Sequence, residues 1–134
     1  MCLCDRMNPR LTLPSTYCFD NNDPNSKAQL WDVPAKGATG PVRVINTNLC
    51  LDAGNNPGNG SGLKVWTCYD GLLQQTWKRG AGNSNTFALS NGQCLDVERG
   101  STGQSLLPYS ALENVQTWQC SNNGDVQQVF YTLS

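Results

Sequence analysis

The sequence predicts an all-β domain assembled from three similar copies, and three observations carry that prediction. Short runs alternate apolar and polar residues with β-branched or aromatic side chains, the period-two signature of strands. Clusters of Gly and Asn, the residues that accept positive φ and close tight turns, separate those runs. A set of motifs also recurs at intervals of about 45 residues, too short a unit to bury a core alone but sufficient when copies pack around a pseudo-threefold axis.

The strand runs are Val42-Arg43-Val44-Ile45, Leu63 to Cys68, Thr86 to Leu89 and Val129 to Leu133, and only Tyr109 to Val115 suggests a turn of helix. The turn clusters include Asn21-Asn22, Asn55-Asn56 and Asn122-Asn123, within a chain holding 13 glycines. The repeat is explicit. Cys50-Leu51-Asp52 returns as Cys94-Leu95-Asp96, 44 residues later. Each is followed by a loop and a Trp-X-Cys element, Trp66-Thr67-Cys68 and Trp118-Gln119-Cys120. Then comes a Gln-X-aromatic triplet, Gln75-Thr76-Trp77 and Gln128-Val129-Phe130. A fainter first copy runs from Cys2-Leu3-Cys4 through Tyr17-Cys18 to Gln29-Leu30-Trp31. The single domain 1–134 thus divides into lobes of approximately 1–40, 41–84 and 85–134.

Composition narrows the functional classes. Nine Lys+Arg against ten Asp+Glu give a net charge of −1 with no basic cluster, unlike the electrostatic footprint of a nucleic-acid binder. No stretch approaches the roughly 18 apolar residues that span a bilayer, and no basic amphipathic segment suits a membrane surface. Seven cysteines and no histidine favour an oxidising compartment over a metal centre, since Cys2-X-Cys4 is closer than zinc-binding pairs usually are. The expectation is a secreted protein with no cofactor and no metal; because the chain opens Met1-Cys2-Leu3-Cys4-Asp5 without a signal peptide, that signal would be removed or belong to a longer precursor. The repeat suggests one disulfide inside each copy, Cys2–Cys18, Cys50–Cys68 and Cys94–Cys120, leaving Cys4 over.

Cys-Leu-Asp, Trp-X-Cys and Gln-X-Trp recurring together across the chain strongly resemble the ricin B-type lectins, also called R-type lectins or family 13 carbohydrate-binding modules. The stretch Cys50 to Gly54 through Trp66 to Asp70 is similar to fungal members. The resemblance implies a β-trefoil of twelve strands, a six-stranded barrel capped by three hairpins, with up to three sugar sites. In that frame the chain begins at the first copy's Cys-Leu motif, so the first strand is expected to be missing or replaced, and an unfilled edge would invite dimerisation or strand exchange.

A sugar presents hydroxyls that demand directional hydrogen bonds and a C–H face that suits an aromatic platform. A carboxylate, an amide and an indole meet those demands. By resemblance, Asp52 accepts from sugar hydroxyls, Trp66 is the platform, Gln75 positions Asp52 or donates to the sugar, and Gln74 and Lys64 add polar contacts. Asp96, Gln116, Trp118, Gln127 and Gln128 form the equivalent set in the third lobe. Strand alternation supports this independently: with Leu63, Val65 and Thr67 toward the core, Lys64, Trp66 and Cys68 face outward. Asp52 and Asp96 have a structural alternative as turn caps, and Lys64 one as a solvated charge. Trp31 and Trp77 are expected in the core. The third lobe's loop is longer, 24 residues from Cys94 to Trp118 against 16 from Cys50 to Trp66; its extra residues, Ser105 to Leu112, would wall the pocket or cover it. The first lobe, with Cys4 or Asp5, Thr16 and Ala28 at the corresponding places, is expected to serve the fold alone.

Without histidine, Ser-His-Asp and Cys-His machinery is excluded, and Asp96 with Glu98, two residues apart on one strand face, is the only catalytic candidate. The expected function is therefore non-catalytic binding of galactose- or N-acetylgalactosamine-type glycans. Alternatives are a xylan- or arabinogalactan-targeting module of a glycoside hydrolase and a β-trefoil protease inhibitor.

Overall fold

A computed structural model describes residues 14–15, 30–82, 84–98, 105–106, 110–111, 113–121 and 126–130. The first-lobe cysteines and the Cys2–Cys18 pairing, with Cys4, Asp5, Thr16 and Ala28, lie outside the described residues. Among the described residues every strand pairing is antiparallel. The strands are β1 (Pro14–Ser15), β2 (Trp31–Asp32), β3 (Thr39–Gly40), β4 (Arg43–Val44), β5 (Leu49–Asp52), β6 (Ser61–Gly62) and β7 (Lys64–Thr67). After them come β8 (Trp77–Arg79), β9 (Phe87–Ala88), β10 (Gln93–Val97), β11 (Ser105–Leu106), β12 (Ser110–Ala111) and β13 (Glu113–Gln119). They form a four-stranded sheet in the order β2-β4-β5-β7, a seven-stranded sheet in the order β1-β13-β10-β9-β8-β3 with β6 also on β13, and the separate hairpin β11-β12.

The all-β expectation holds, and the repeat is visible in the register. In the second lobe Leu49, Cys50, Leu51 and Asp52 lie opposite Thr67, Trp66, Val65 and Lys64. In the third, Gln93, Cys94, Leu95 and Asp96 lie opposite Gln119, Trp118, Thr117 and Gln116. The same hairpin is thus built twice. Each is stapled by its predicted disulfide, Cys50–Cys68 with Cα atoms 5.0 Å apart and Cys94–Cys120 with Cα atoms 4.9 Å apart. Closing loops of 18 and 26 residues contributes roughly 3 kcal/mol each by restricting the unfolded chain.

Alternation decides the core. Leu51, Leu63, Val65, Trp77, Phe87, Leu95 and Val115 are buried, joined by Trp31, Val42, Val44 and Leu89. Trp31 and Trp77 are core residues, as expected, and the indole Nε1 of Trp77 donates to the Leu51 carbonyl at 3.2 Å. The alternation ends one residue sooner than predicted, because Thr67 is exposed. At Thr67, and at its counterpart Gln119, the hairpin has run past the edge of the core. Two further expectations change. Ser110–Ala111 and Glu113–Gln119 are strands rather than a turn of helix, because Val115 and Thr117 are needed on the buried face. Among the described residues the helical turns are two single 3-10 turns at Leu73–Gln75 and Val126–Gln128, each ending at the Gln of a Gln-X-aromatic triplet. Val129 and Phe130 lie outside any strand; Phe130 instead packs edge-on against Phe87 at 6.3 Å. The remainder of that expected strand lies outside the described residues.

The lobes are joined through the second lobe's Gly/Asn-rich loop. Asn59 Oδ1 accepts from the Gln119 backbone N–H at 2.7 Å and from Gln93 Nε2 at 3.2 Å. Thr117 Oγ1 donates to the Gly58 carbonyl at 2.7 Å, and Gly60 N–H to the Thr117 carbonyl at 2.8 Å. Asn59→Ala removes two of these bonds at an exposed position and is expected to lower stability by about 1 kcal/mol, measurable as a shifted urea midpoint with an unchanged slope.

Candidate functional site

Two equivalent constellations stand on these hairpins. Opposed residues of an antiparallel pair share a face, and so do residues two apart on one strand. The register therefore sets Asp52, Lys64 and Trp66 on one face, and Asp96, Gln116 and Trp118 on another. On the diagonal, a carboxylate and an aromatic remain within reach of a common ligand.

The two acids are buried, Asp52 at 2% and Asp96 at 4% relative exposure. The two indoles are not: Trp66 is 49% and Trp118 45% exposed. Large apolar side chains left open beside buried polar groups form an amphipathic platform rather than a core contact.

Each carboxylate is held by its glutamine. Gln75 Nε2 donates to Asp52 Oδ2 at 2.9 Å and to the Thr67 carbonyl at 2.9 Å, while its Oε1 accepts the Tyr69 backbone N–H at 2.8 Å. Gln128 repeats the pattern, donating to Asp96 Oδ2 and the Gln119 carbonyl at 3.1 Å each and accepting from Ser121 N–H at 2.9 Å. A primary amide has two donor hydrogens, and both are used. The Gln75 amide thus holds Asp52 within the protein.

The second carboxylate oxygen separates the lobes. Asp52 Oδ1 accepts from Gly54 N–H at 2.6 Å, a side-chain turn completed by the positive φ of Gly54, 75°. The turn-cap alternative for Asp52 is thus realised alongside the glutamine contact. Asp96 Oδ1 instead accepts from Gln116 Nε2 at 2.9 Å. Lys64, the residue matching Gln116, places its Nζ 4.5 Å from the Trp66 ring centroid, a cation–π contact. Gln74 reaches Asn55 Oδ1 at 3.4 Å, and its carbonyl accepts from Ala53 N–H at 3.0 Å. Gln127 Nε2 donates to the Val97 carbonyl at 3.0 Å. These two glutamines brace loop backbone beside the acids.

Asn59 and Gly60, which the sequence marks only as loop residues, border the third-lobe constellation. A Cβ at Gly60 would lie 3.9 Å from the Trp118 ring and 4.0 Å from Gln116 Oε1. The hairpin β11-β12 lies in the long third-lobe loop, yet Trp118 stays open to solvent. Glu98 is exposed just past the end of β10, whereas Asp96 is buried and held by two amides. Among the described residues no cluster of three or more acidic or cysteine side chains could hold a metal ion.

Chemically, each constellation offers an acceptor fixed by hydrogen bonds beside an open ring. A profile of the family described as the ricin-type beta-trefoil lectin domain matches residues 2–130. No curated protein and no solved structure gave a match.

Proposed function

Because the chain belongs to the ricin-type β-trefoil lectin family, a carbohydrate-binding class, we propose that it is a non-catalytic lectin for galactose- or N-acetylgalactosamine-type glycans, with working sites in the second and third lobes. The observation that carries this reading is the twice-built set of exposed indole, buried carboxylate and clamping glutamine. Galactose-type sugars present two neighbouring hydroxyls along one edge and a C–H patch on one face. Each carboxylate oxygen receives one protein hydrogen bond described above and retains capacity for another, so Asp52 and Asp96 accept the edge while Trp66 and Trp118 take the face. Lys64 adds a donor at the second-lobe rim, and Gln116 carries an amide to the third.

Recognition of neutral polyols through one acid and one ring is weak, on the order of 0.1–1 mM per site, equivalent to about −4 to −5.5 kcal/mol. Two sites on one domain then act through effective concentration on a glycan-coated surface. Catalysis has no place in this reading, because Asp96 is held by two amides and Glu98 is exposed past the end of its strand. The two disulfides suit an oxidising, extracellular setting.

The test is a glycan array followed by titration of the Trp66→Ala and Trp118→Ala proteins. Both residues are exposed, so stability should change by less than about 0.5 kcal/mol. Each variant is expected to lose one class of site, weakened at least tenfold, and to keep the other. Binding of plant-wall xylan in preference to any terminal galactose would redirect the assignment, and wild-type affinity in both variants would remove it.

A further inference from the structure

A pair of hollows borders Arg43 on the sheet that carries Trp66, two strands away. Asp32, Arg43, Cys50 and Trp66 are successive cross-strand partners on β2, β4, β5 and β7. Opposed side chains share a face, and neighbouring strands are about 4.8 Å apart, which puts Arg43 roughly 10 Å from Trp66 across the sheet. Cys50, tied to Cys68, stands between them.

Arg43 borders two hollows that meet along Gly40 and Pro41. One, of about 320 Å³, extends toward Asp32 and Pro34. The other, of about 190 Å³, extends along the Cys50–Cys68 bridge to Tyr69, Asp70 and Gln75. Gln75 is thus a wall shared with the second-lobe constellation, its amide held toward Asp52. Tyr69 is 57% exposed.

The guanidinium is unusually placed. Arg43 Nε is buried and has no hydrogen-bond partner, so neither flanking carboxylate, Asp32 or Asp70, satisfies it. A buried donor without an acceptor is uncommon in native structures and calls for an explanation. The Nε–H and an adjacent Nη–H of arginine form a planar fork that matches the two oxygens of a carboxylate. A simple anion would meet the fork but also the acidic Asp70. A neutral sugar would suit Asp70 and could accept from the guanidinium through single hydroxyls, but it offers neither the charge nor the paired oxygens that the fork matches. A sugar acid satisfies both, its carboxylate on Arg43 and its hydroxyls donating to Asp70, with Tyr69 offering ring surface.

We propose that the cleft formed by Arg43, Tyr69 and Asp70 beside the Cys50–Cys68 bridge is a separate subsite for uronic-acid residues of glycans. It requires neither Trp66 nor Trp118, so it stands independently of the galactose-type reading.

The experiment follows the Arg43 Nε–H resonance, assigned by its loss in Arg43→Lys, during titration with methyl glucuronide, methyl galacturonide and methyl galactoside. Acetate and inorganic sulfate serve as plain-anion controls. Both uronides are expected to shift the Arg43 Nε–H and the Tyr69 and Asp70 amides, in the wild type and in a Trp66→Ala/Trp118→Ala double variant alike. Arg43→Lys keeps the charge but loses the fork, and should weaken uronide binding at least tenfold while leaving galactoside binding unchanged. Tyr69→Ala, at an exposed position, should weaken it threefold or more. The proposal fails if uronides perturb only the tryptophan sites, if acetate or sulfate shifts Arg43 at the same concentrations, or if both variants titrate as the wild type does. Failure of galactoside binding alone would overturn the lectin-site reading and leave this one standing.

Discussion

Trp77→Ala is expected to destabilise the domain by about 3–5 kcal/mol, lowering the melting temperature by roughly 10–20 °C for a chain of this size. The side chain is fully buried at 0% exposure and belongs to β8, which pairs with β3 on one side and β9 on the other. Its removal opens a cavity at the junction of the second and third lobes. It also deprives the Leu51 carbonyl of its indole donor, so a transfer loss and an unsatisfied buried acceptor add. Trp77→Phe restores most of the volume but not the N–H, and should recover more than half of the loss. Thermal and urea unfolding of both variants check this. A Trp77→Ala protein melting within a few degrees of the wild type would mean that the core closes around the gap.

Gln75→Ala is expected to combine a stability loss of about 3 kcal/mol with at least a tenfold fall in second-lobe glycan affinity. Three groups lose their partner together: Asp52 Oδ2, the Thr67 carbonyl and the Tyr69 backbone N–H. The bond to the charged carboxylate is the largest contribution, since hydrogen bonds to ionised groups are worth about 1.5–3 kcal/mol. Freed from the amide, the carboxylate rotates and the ligand must bear the entropy of ordering it. Gln75→Glu keeps the acceptor for Tyr69 but sets a second carboxylate against Asp52, so it should not rescue binding. The counterpart Gln128→Ala should act on the third lobe alone. Titration of each variant in a Trp66→Ala or Trp118→Ala background separates the lobes. A Gln75→Ala protein with intact second-lobe affinity would reduce the glutamine to a purely structural clamp.

Much of this architecture was legible in the chain. The repeated Cys-Leu-Asp and Trp-X-Cys elements carried the two disulfides, and period-two alternation placed Leu63 and Val65 inward and Trp66 outward. The burial of Trp77 followed from its place in the Gln-X-Trp triplet. Where the reading faltered, the cause was local geometry at an element's end. Thr67 breaks the alternation and is exposed because the core stops beneath it, and Phe130 leaves the strand pattern to pack against Phe87.

What the sequence determined by itself is the inventory of the second and third lobes, an acid, a ring and an amide in the same order, with the face most strand residues take. Such properties arise from backbone periodicity, which acts over a few residues and needs no knowledge of neighbours. Only the tertiary structure decided how the polar atoms spend their hydrogen bonds. It committed both donors of Gln75, gave Asp52 and Asp96 different second partners, set Gly60 of one lobe against Trp118 of the next, and left Arg43 Nε without an acceptor. Apart from the local turn between Asp52 and Gly54, those outcomes depend on groups far apart in the chain being brought together, and no local pattern encodes such a contact.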